Sequence, residues 1–262
     1  MKSLKFILKS VLLPFRKVAG RFVILPEPSH AISPEMAQSI LYKAAKITSM
    51  EIVDGDYLEF GVFQGASFIN AYNILKQVYE ERFTHERQLH GDELCARIRN
   101  RWENIRFIAF DSFEGLPEMC GTDTQTNDFV KGKFCCNEED FIKNIKGKGV
   151  MLEKVATVPG WFEKTCSEET KKKLRLTKAS IVHIDCDLYE STKVVLDFIT
   201  PLLDDGTIII FDDWYCYRGN PELGEQKAFY EWVEKLPDWT FTQFQKESHT
   251  RNSFISNHKI NQ

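Results

Sequence analysis

Apolar residues between positions 57 and 257 fall into short runs, and these alternate with segments of helical periodicity. Tyr57 to Phe60, Ile105 to Phe110, Val155 to Val158 and Ser180 to Ile184 read as strands. Thr207 to Phe211 has the apolar character expected of a strand buried on both faces. Two strands, near 239–245 and 252–257, close the chain. Residues 66–80 read as a helix with Phe68, Ile69, Tyr72, Leu75 and Tyr79 on one face. Further helices are expected after Asn137-Glu138-Glu139-Asp140, over about 167–174, from Tyr189 to Leu203, and over 222–236. Ahead of the first strand, Ser33-Pro34-Glu35 has the chemistry of a helix start. Met36, Ile40, Leu41, Ala44 and Ile47 give that helix an apolar face. The alternation predicts an α/β fold: a doubly wound, mostly parallel seven-stranded sheet with helices on both faces.

Three segments depart from this rhythm. Residues 81–104 are rich in Glu, Arg and His and read as a solvated helical insertion. Residues 112–136 form a loop of about 25 residues, the size of a lid or binding loop. The N-terminus carries Lys2, Lys5, Lys9, Arg16, Lys17 and Arg21 before the first acid, Glu27. Leu4, Ile7, Leu8, Val11, Leu12, Phe15, Val18 and Phe22 recur there at helical spacing, with Pro14 as a bend. The apolar run falls short of the ~20 residues needed to span a bilayer, and no small-residue cleavage site follows it. It is expected to be a cap helix on the domain or on a partner subunit of a homo-oligomer. The sharper alternative is peripheral membrane contact through residues 1–25. The chain thus divides into a basic helical extension, 1–50, and an α/β domain, 51–262.

Composition narrows the function. With 43% hydrophobic and 27% charged residues, a sizeable core is expected and disorder is not. A net charge of -4 argues against nucleic acid as a partner. The seven cysteines have no zinc-site spacing and read as free thiols in a reducing, cytoplasmic compartment.

In open α/β sheets ligands bind at the carboxyl ends of the strands. Here those ends carry Glu59 and Gly61, Asp111, Asp185, and Asp212 with Asp213. The turn from Glu59 to Gly65 lacks the dinucleotide fingerprint, since Phe63 stands where its middle glycine would be. Asp111 suits either a ribose diol or a turn. Asp185-Cys186-Asp187 and Asp212-Asp213 end two strands; as neighbours these ends lie ~5 Å apart. Clustered carboxylates repel one another, and a hard divalent ion such as Mg²⁺ relieves that repulsion.

These segments resemble the macrocin O-methyltransferase (TylF-type) family of class I S-adenosylmethionine-dependent enzymes. The similarity runs through LEFGVFQGAS (58–67), IAFDSFEGLPE (108–118), VPGWFEKT (158–165), HIDCDLYEST (183–192) and LLDDGTIIIFDDW (202–214), with Gly224 and Ala228 beyond. The resemblance implies a Rossmann-like fold and methyl transfer from S-adenosylmethionine to a hydroxyl of a sugar or sugar-bearing small molecule. Glu59, Gly61, Phe63 and Gly65 would follow the methionine and ribose of the donor, with Asp185 beside them. Asp111 would hold the ribose with Ser112 alongside, and Gly160, Trp161 and Phe162 would meet the adenine. Asp185, Asp212 and Asp213 would bind Mg²⁺, with Asp185 or Asp187 as the base and His183 turned away. Phe113, Phe129, Trp214, Tyr215, Tyr217 and Arg218 are expected to shape the acceptor pocket. Two other readings compete. A nucleotide-sugar glycosyltransferase would use Asp185-Cys186-Asp187 but leaves Asp212-Asp213 unexplained. A non-catalytic partner protein would have little need for the intact acids.

Overall fold

The computed structural model describes residues 17–18, 21–22, 33–89, 92–125 and 129–260. The chain forms two compact units, Met1–Pro34 and Glu35–Gln262. In the first, β1 (Lys17–Val18) and β2 (Arg21–Phe22) pair antiparallel, Lys17 opposite Phe22. The helical spacing expected through Val18 and Phe22 is therefore not realised at these residues. The rest of the 1–25 segment lies outside the described residues.

The second unit begins ahead of the expected boundary at residue 51. The helix expected after Ser33 is broken in two, α1 (Pro34–Gln38) and α2 (Ile40–Met50). The break is Ser39, whose extended backbone and side chain, accepting the Tyr42 N–H at 3.1 Å, make it the N-cap of α2. Ile40, Leu41, Ala44 and Ala45 of α2 are buried in the core, so this helix belongs to the main unit.

The chain continues through β3 (Asp56–Phe60), α3 (Ala66–Leu89), α4 (Asp92–Asn104), β4 (Phe107–Asp111), α5 (Glu138–Gly147) and β5 (Val155–Pro159). Then come α6 (Phe162–Thr165), α7 (Glu168–Leu174), β6 (Ala179–Ile184), α8 (Tyr189–Ile199), β7 (Ile208–Phe211), α9 (Gly224–Val233), β8 (Trp239–Glu247) and β9 (Arg251–His258). The seven-stranded sheet has the order β5-β4-β3-β6-β7-β9-β8. Its first five strands are parallel; β9 runs antiparallel to both β7 and β8. This is the doubly wound, mostly parallel sheet expected, with the topological switch between β3 and β6.

The period of two along each strand builds a core on either face. Tyr57, Phe107, Ala109, Ile181, Ile208 and Ile210 pack towards α2, α3 and α5. Leu58, Phe60, Ile108, Phe110, Val182, Ile184, Ile209 and Phe211 pack towards α8 and α9. The charged segment 81–104 is only partly solvated: Cys95, Ile98 and Arg101 repeat every third residue and are buried along one side of α4. Arg101 is satisfied inside, its Nε donating to the Val53 carbonyl at 2.8 Å and its Nη2 to Ser180 Oγ at 3.1 Å. Among the described residues, no helix is long and apolar enough to cross a membrane.

Candidate active site

The carboxyl ends of β3, β4, β6 and β7 converge on one edge. Gly61 leaves β3 with φ 88°, and a Cβ there would collide with the Asp185 carbonyl oxygen, so the close approach of β3 and β6 demands glycine. Asp111 ends β4 and ties this turn down. Its Oδ2 accepts the Val62 and Phe63 N–H groups at 2.8 and 3.0 Å, and its Oδ1 accepts the Phe113 N–H at 2.7 Å. The Gly160 N–H donates to the Asp111 carbonyl at 2.9 Å, which brings the β5 end alongside.

A cavity of about 340 Å³ opens over this edge, lined by Gly61, Phe63, Asp111, Ser112, Trp161, Phe162, Asp185, Asp187, Asp212 and Asp213. A second, of about 490 Å³, shares Phe63 and Asp185 with it and adds Ser39, Gln64, Ser67, Asn70, His183 and Arg251. Glu59, Gly65 and Gly160 border neither cavity. Glu59 is wholly buried, accepting hydrogen bonds from the Tyr57 hydroxyl and, at 2.5 Å, from Ser67 Oγ.

The acidic groups form two overlapping sets. One oxygen each from Asp185, Asp187 and Asp213 lie within 4.8 Å of one another, as do ligand atoms of His183, Asp185 and Asp212. Burial and the Asp212 charge push Asp185 well above the usual carboxylate range. Burial and Asp213 push Asp187 up to about 9. Asp213 is raised by burial and Asp212, and Glu225 by burial and Asp213. Burial also works to raise Asp212, but His183 and Arg251 outweigh it and hold this carboxyl below its ordinary value. Asp213 Oδ2 and Glu225 Oε1 are buried without a hydrogen-bond partner. Oxygen-rich, crowded and short of donors, this donor set fits a hard divalent cation.

His183 does not turn away from Asp185. Residues i and i+2 of a strand share a face, and His183 Nε2 lies 3.2 Å from Asp212 Oδ1. Burial lowers the affinity of this imidazole for a proton, yet Asp212 and Glu59 hold its pKa up to about 10.

The expected acceptor residues are dispersed. Phe113 packs on Phe141, Trp214 on Phe211, Phe229 and Phe254, and Tyr217 on Phe129, all inside the protein. Tyr215 lies under Lys246, and neither it nor Arg218 borders either of these two cavities. Within 112–136, Phe129 does reach the first cavity, together with Leu116, Pro117 and Phe134. Asp123 anchors that loop by accepting the Tyr189 N–H of α8 at 2.7 Å. Arg251 and Glu225 are site residues that sequence reasoning missed. Arg251 Nε donates to Asp212 Oδ1 at 2.5 Å across two strands, and no local pattern announces it. Glu225 reads in sequence as an ordinary acid in the first turn of a helix.

A family model described as macrocin-O-methyltransferase (TylF) matches residues 96–229. The 8-demethyl-8-(2,3-dimethoxy-alpha-L-rhamnosyl)-tetracenomycin-C 4'-O-methyltransferase of Streptomyces olivaceus is 30% identical over 168 residues, 62% of this chain and 54% of that protein. The mycinamicin III 3''-O-methyltransferase of Micromonospora griseorubida is 28% identical over 172 residues, 63% of this chain and 56% of that protein. The chain thus spans little more than half the length of these relatives. Among solved structures, the O-methyltransferase NovP superposes with a TM-score of 0.60 at 18% identity, covering 82% of this chain and 77% of its own. The calicheamicin methyltransferase CalS11 gives 0.58 at 20% identity, covering 86% and 80%. At these identities the likeness is one of fold.

Proposed function

This chain belongs to the macrocin-O-methyltransferase (TylF) family, and from that membership and the site we infer that it methylates a hydroxyl of a sugar or sugar-bearing small molecule, with S-adenosylmethionine as donor and Mg²⁺ at Asp185, Asp212 and Asp213. The observation that carries the reading is one cavity whose wall runs from Asp111 and Trp161 to four buried or half-buried aspartates, Asp185, Asp187, Asp212 and Asp213.

The residues divide the work. Trp161 and Phe162 offer aromatic faces to the adenine, and Asp111 Oδ1, with one N–H partner, keeps acceptor capacity for a ribose hydroxyl. Ser67, Asn70 and Gln64 of the second cavity suit the methionyl end. Phe63 and Asp185, common to both cavities, would flank the sulfonium. Its methyl group is already activated. The acceptor oxygen forms the new bond to carbon as sulfur leaves with the electron pair, and the enzyme's task is alignment and proton removal. Bound Mg²⁺ would supply a positive charge that makes an acceptor hydroxyl more acidic. Asp187, outside the proposed ligand set yet on the cavity wall, is placed to take that proton. Leu116, Pro117, Phe129 and Phe134 give the acceptor an apolar wall. The rhamnosyl group named in the substrate of the tetracenomycin enzyme supports this choice of substrate class.

Calorimetry with S-adenosylhomocysteine and with nucleotide sugars tests the donor. Binding of the first alone is expected; binding of nucleotide sugars alone would overturn the reading in favour of glycosyl transfer. A panel of glycosides with a methyl-transfer readout then identifies the acceptor.

A further inference from the structure

The reading of Asp185, Asp212 and Asp213 as cation ligands leaves Glu225 without a role, and the following rests on that reading. We propose that Glu225 is a positioning residue for the cation: it holds Asp213 from behind and adds a fifth negative charge to the site. Glu225 stands in the first turn of α9 with only 1% of its surface exposed. Its Oε2 accepts the backbone N–H of Asp213 at 3.0 Å, twelve residues back along the chain, rather than an N–H of its own helix. Its Oε1 has no partner, and neither has Asp213 Oδ2.

The local backbone is built to bring it there. Gly224 starts the helix at φ 54°, and a Cβ at that position would strike the Tyr217 ring. The chain can therefore turn tightly against Tyr217 and carry the next side chain beneath the Asp212-Asp213 turn. The helix N-terminus favours an anion, typically by 0.3–1 kcal/mol. That is small beside the several kcal/mol it costs to bury an unpaired carboxylate among other carboxylates. For folding alone, a glutamine or an apolar residue would serve better. A carboxylate earns this place when a cation is bound, because outer groups that orient ligands typically govern metal affinity by 10–100-fold.

The test is Mn²⁺ titration of the full chain, followed by electron paramagnetic resonance, on wild type, Glu225→Gln and Glu225→Ala. Melting temperatures in EDTA and calorimetry with S-adenosylhomocysteine accompany it. Glu225→Gln keeps the shape and an acceptor oxygen but loses the charge. It is expected to bind Mn²⁺ about tenfold more weakly, to melt in EDTA no lower than wild type, and to bind S-adenosylhomocysteine unchanged. Glu225→Ala is expected to lose more Mn²⁺ affinity. Wild-type Mn²⁺ affinity in Glu225→Gln overturns the proposal. So does a joint fall in melting temperature and in affinity for both ligands, which is what a merely structural residue would give. Failure of the wild type to bind Mn²⁺ overturns the cation reading, and this inference with it.

Discussion

At the β4 end of the sheet, the Asp111 carboxylate accepts three backbone N–H groups. Around the β6 and β7 ends, Asp187 and, from α9, Glu225 are buried and Asp185 and Asp213 half-buried with far fewer donors, and two of these oxygens have none. Both regions are strand-end acids on one edge of one sheet, and the same residue type is stable there for opposite reasons. Asp111 is satisfied by the turn it organises. In the β6–β7 group the acids crowd one another, and their mutual repulsion is relieved either by taking up protons, as their raised pKa values record, or by a bound cation. Donor count, rather than the mere presence of acids, distinguishes a ligand-presenting carboxylate from a cation site.

The largest effect should follow from striking the group where its two sets overlap. Asp185→Asn is expected to reduce methyl transfer and Mn²⁺ affinity by more than ~100-fold, beyond the loss of an outer partner. S-adenosylhomocysteine affinity should change only a few-fold. Equal collapse of donor and metal binding would mean that the two regions are one folding unit, and the contrast between them would be lost.

Next comes Asp111. Asp111→Ala strands three N–H groups, and hydrogen bonds to charged groups contribute ~1.5–3 kcal/mol each, partly recovered by water. Urea unfolding should report a loss of about 2 kcal/mol, with donor affinity falling in parallel. The opposite sign is expected for Asp187→Asn. In EDTA it removes a carboxyl that the fold must either hold charged among other acids or protonate far above its ordinary pKa, so metal-free stability should rise by about 1 kcal/mol while turnover falls. A destabilised Asp187→Asn protein would place Asp187 with Asp111 rather than against it.

This contrast was only half legible in the sequence. The strands were, because β3, β4, β6 and β7 are buried on both faces and their apolar runs stop abruptly at acids. Asp111, Asp185, Asp212 and Asp213 could be assigned to one edge for the same reason. What surrounds them could not. Arg251 reaches Asp212 from a strand 39 positions later, and Glu225 through a helix start. Ser39 cuts one apolar periodicity into two helices by a cap that competes with helix continuation. Trp214 follows the double aspartate directly, yet the turn sends its ring into the aromatic cluster with Phe211, Phe229 and Phe254 instead of into a pocket. These facts depend on pairs distant in sequence, and hydrophobic period carries no record of them.

The smallest effect belongs to an acid at the opposite edge of the sheet, which serves as the solvated reference. Asp205 precedes β7, and its Oδ1 accepts the His258 backbone N–H at 2.7 Å and lies 3.0 Å from His258 Nδ1. Like Asp111 it has good donors, but its side chain is 63% exposed. The His258 backbone N–H, then the ring, holds its pKa below the ordinary 3.8. A lowered folded-state pKa means a contribution present above about pH 4 and lost as pH falls through the folded value. Exposed pairs contribute roughly 0.2–1 kcal/mol. Asp205→Ala should therefore cost a few tenths of a kcal/mol at pH 7 and nothing once both forms are protonated near pH 2. Water can replace donors here, as it cannot at Asp111. A loss at pH 7 as large as that of Asp111→Ala would show that donor count acts regardless of burial. The β6–β7 acids would then have to be explained by charge alone.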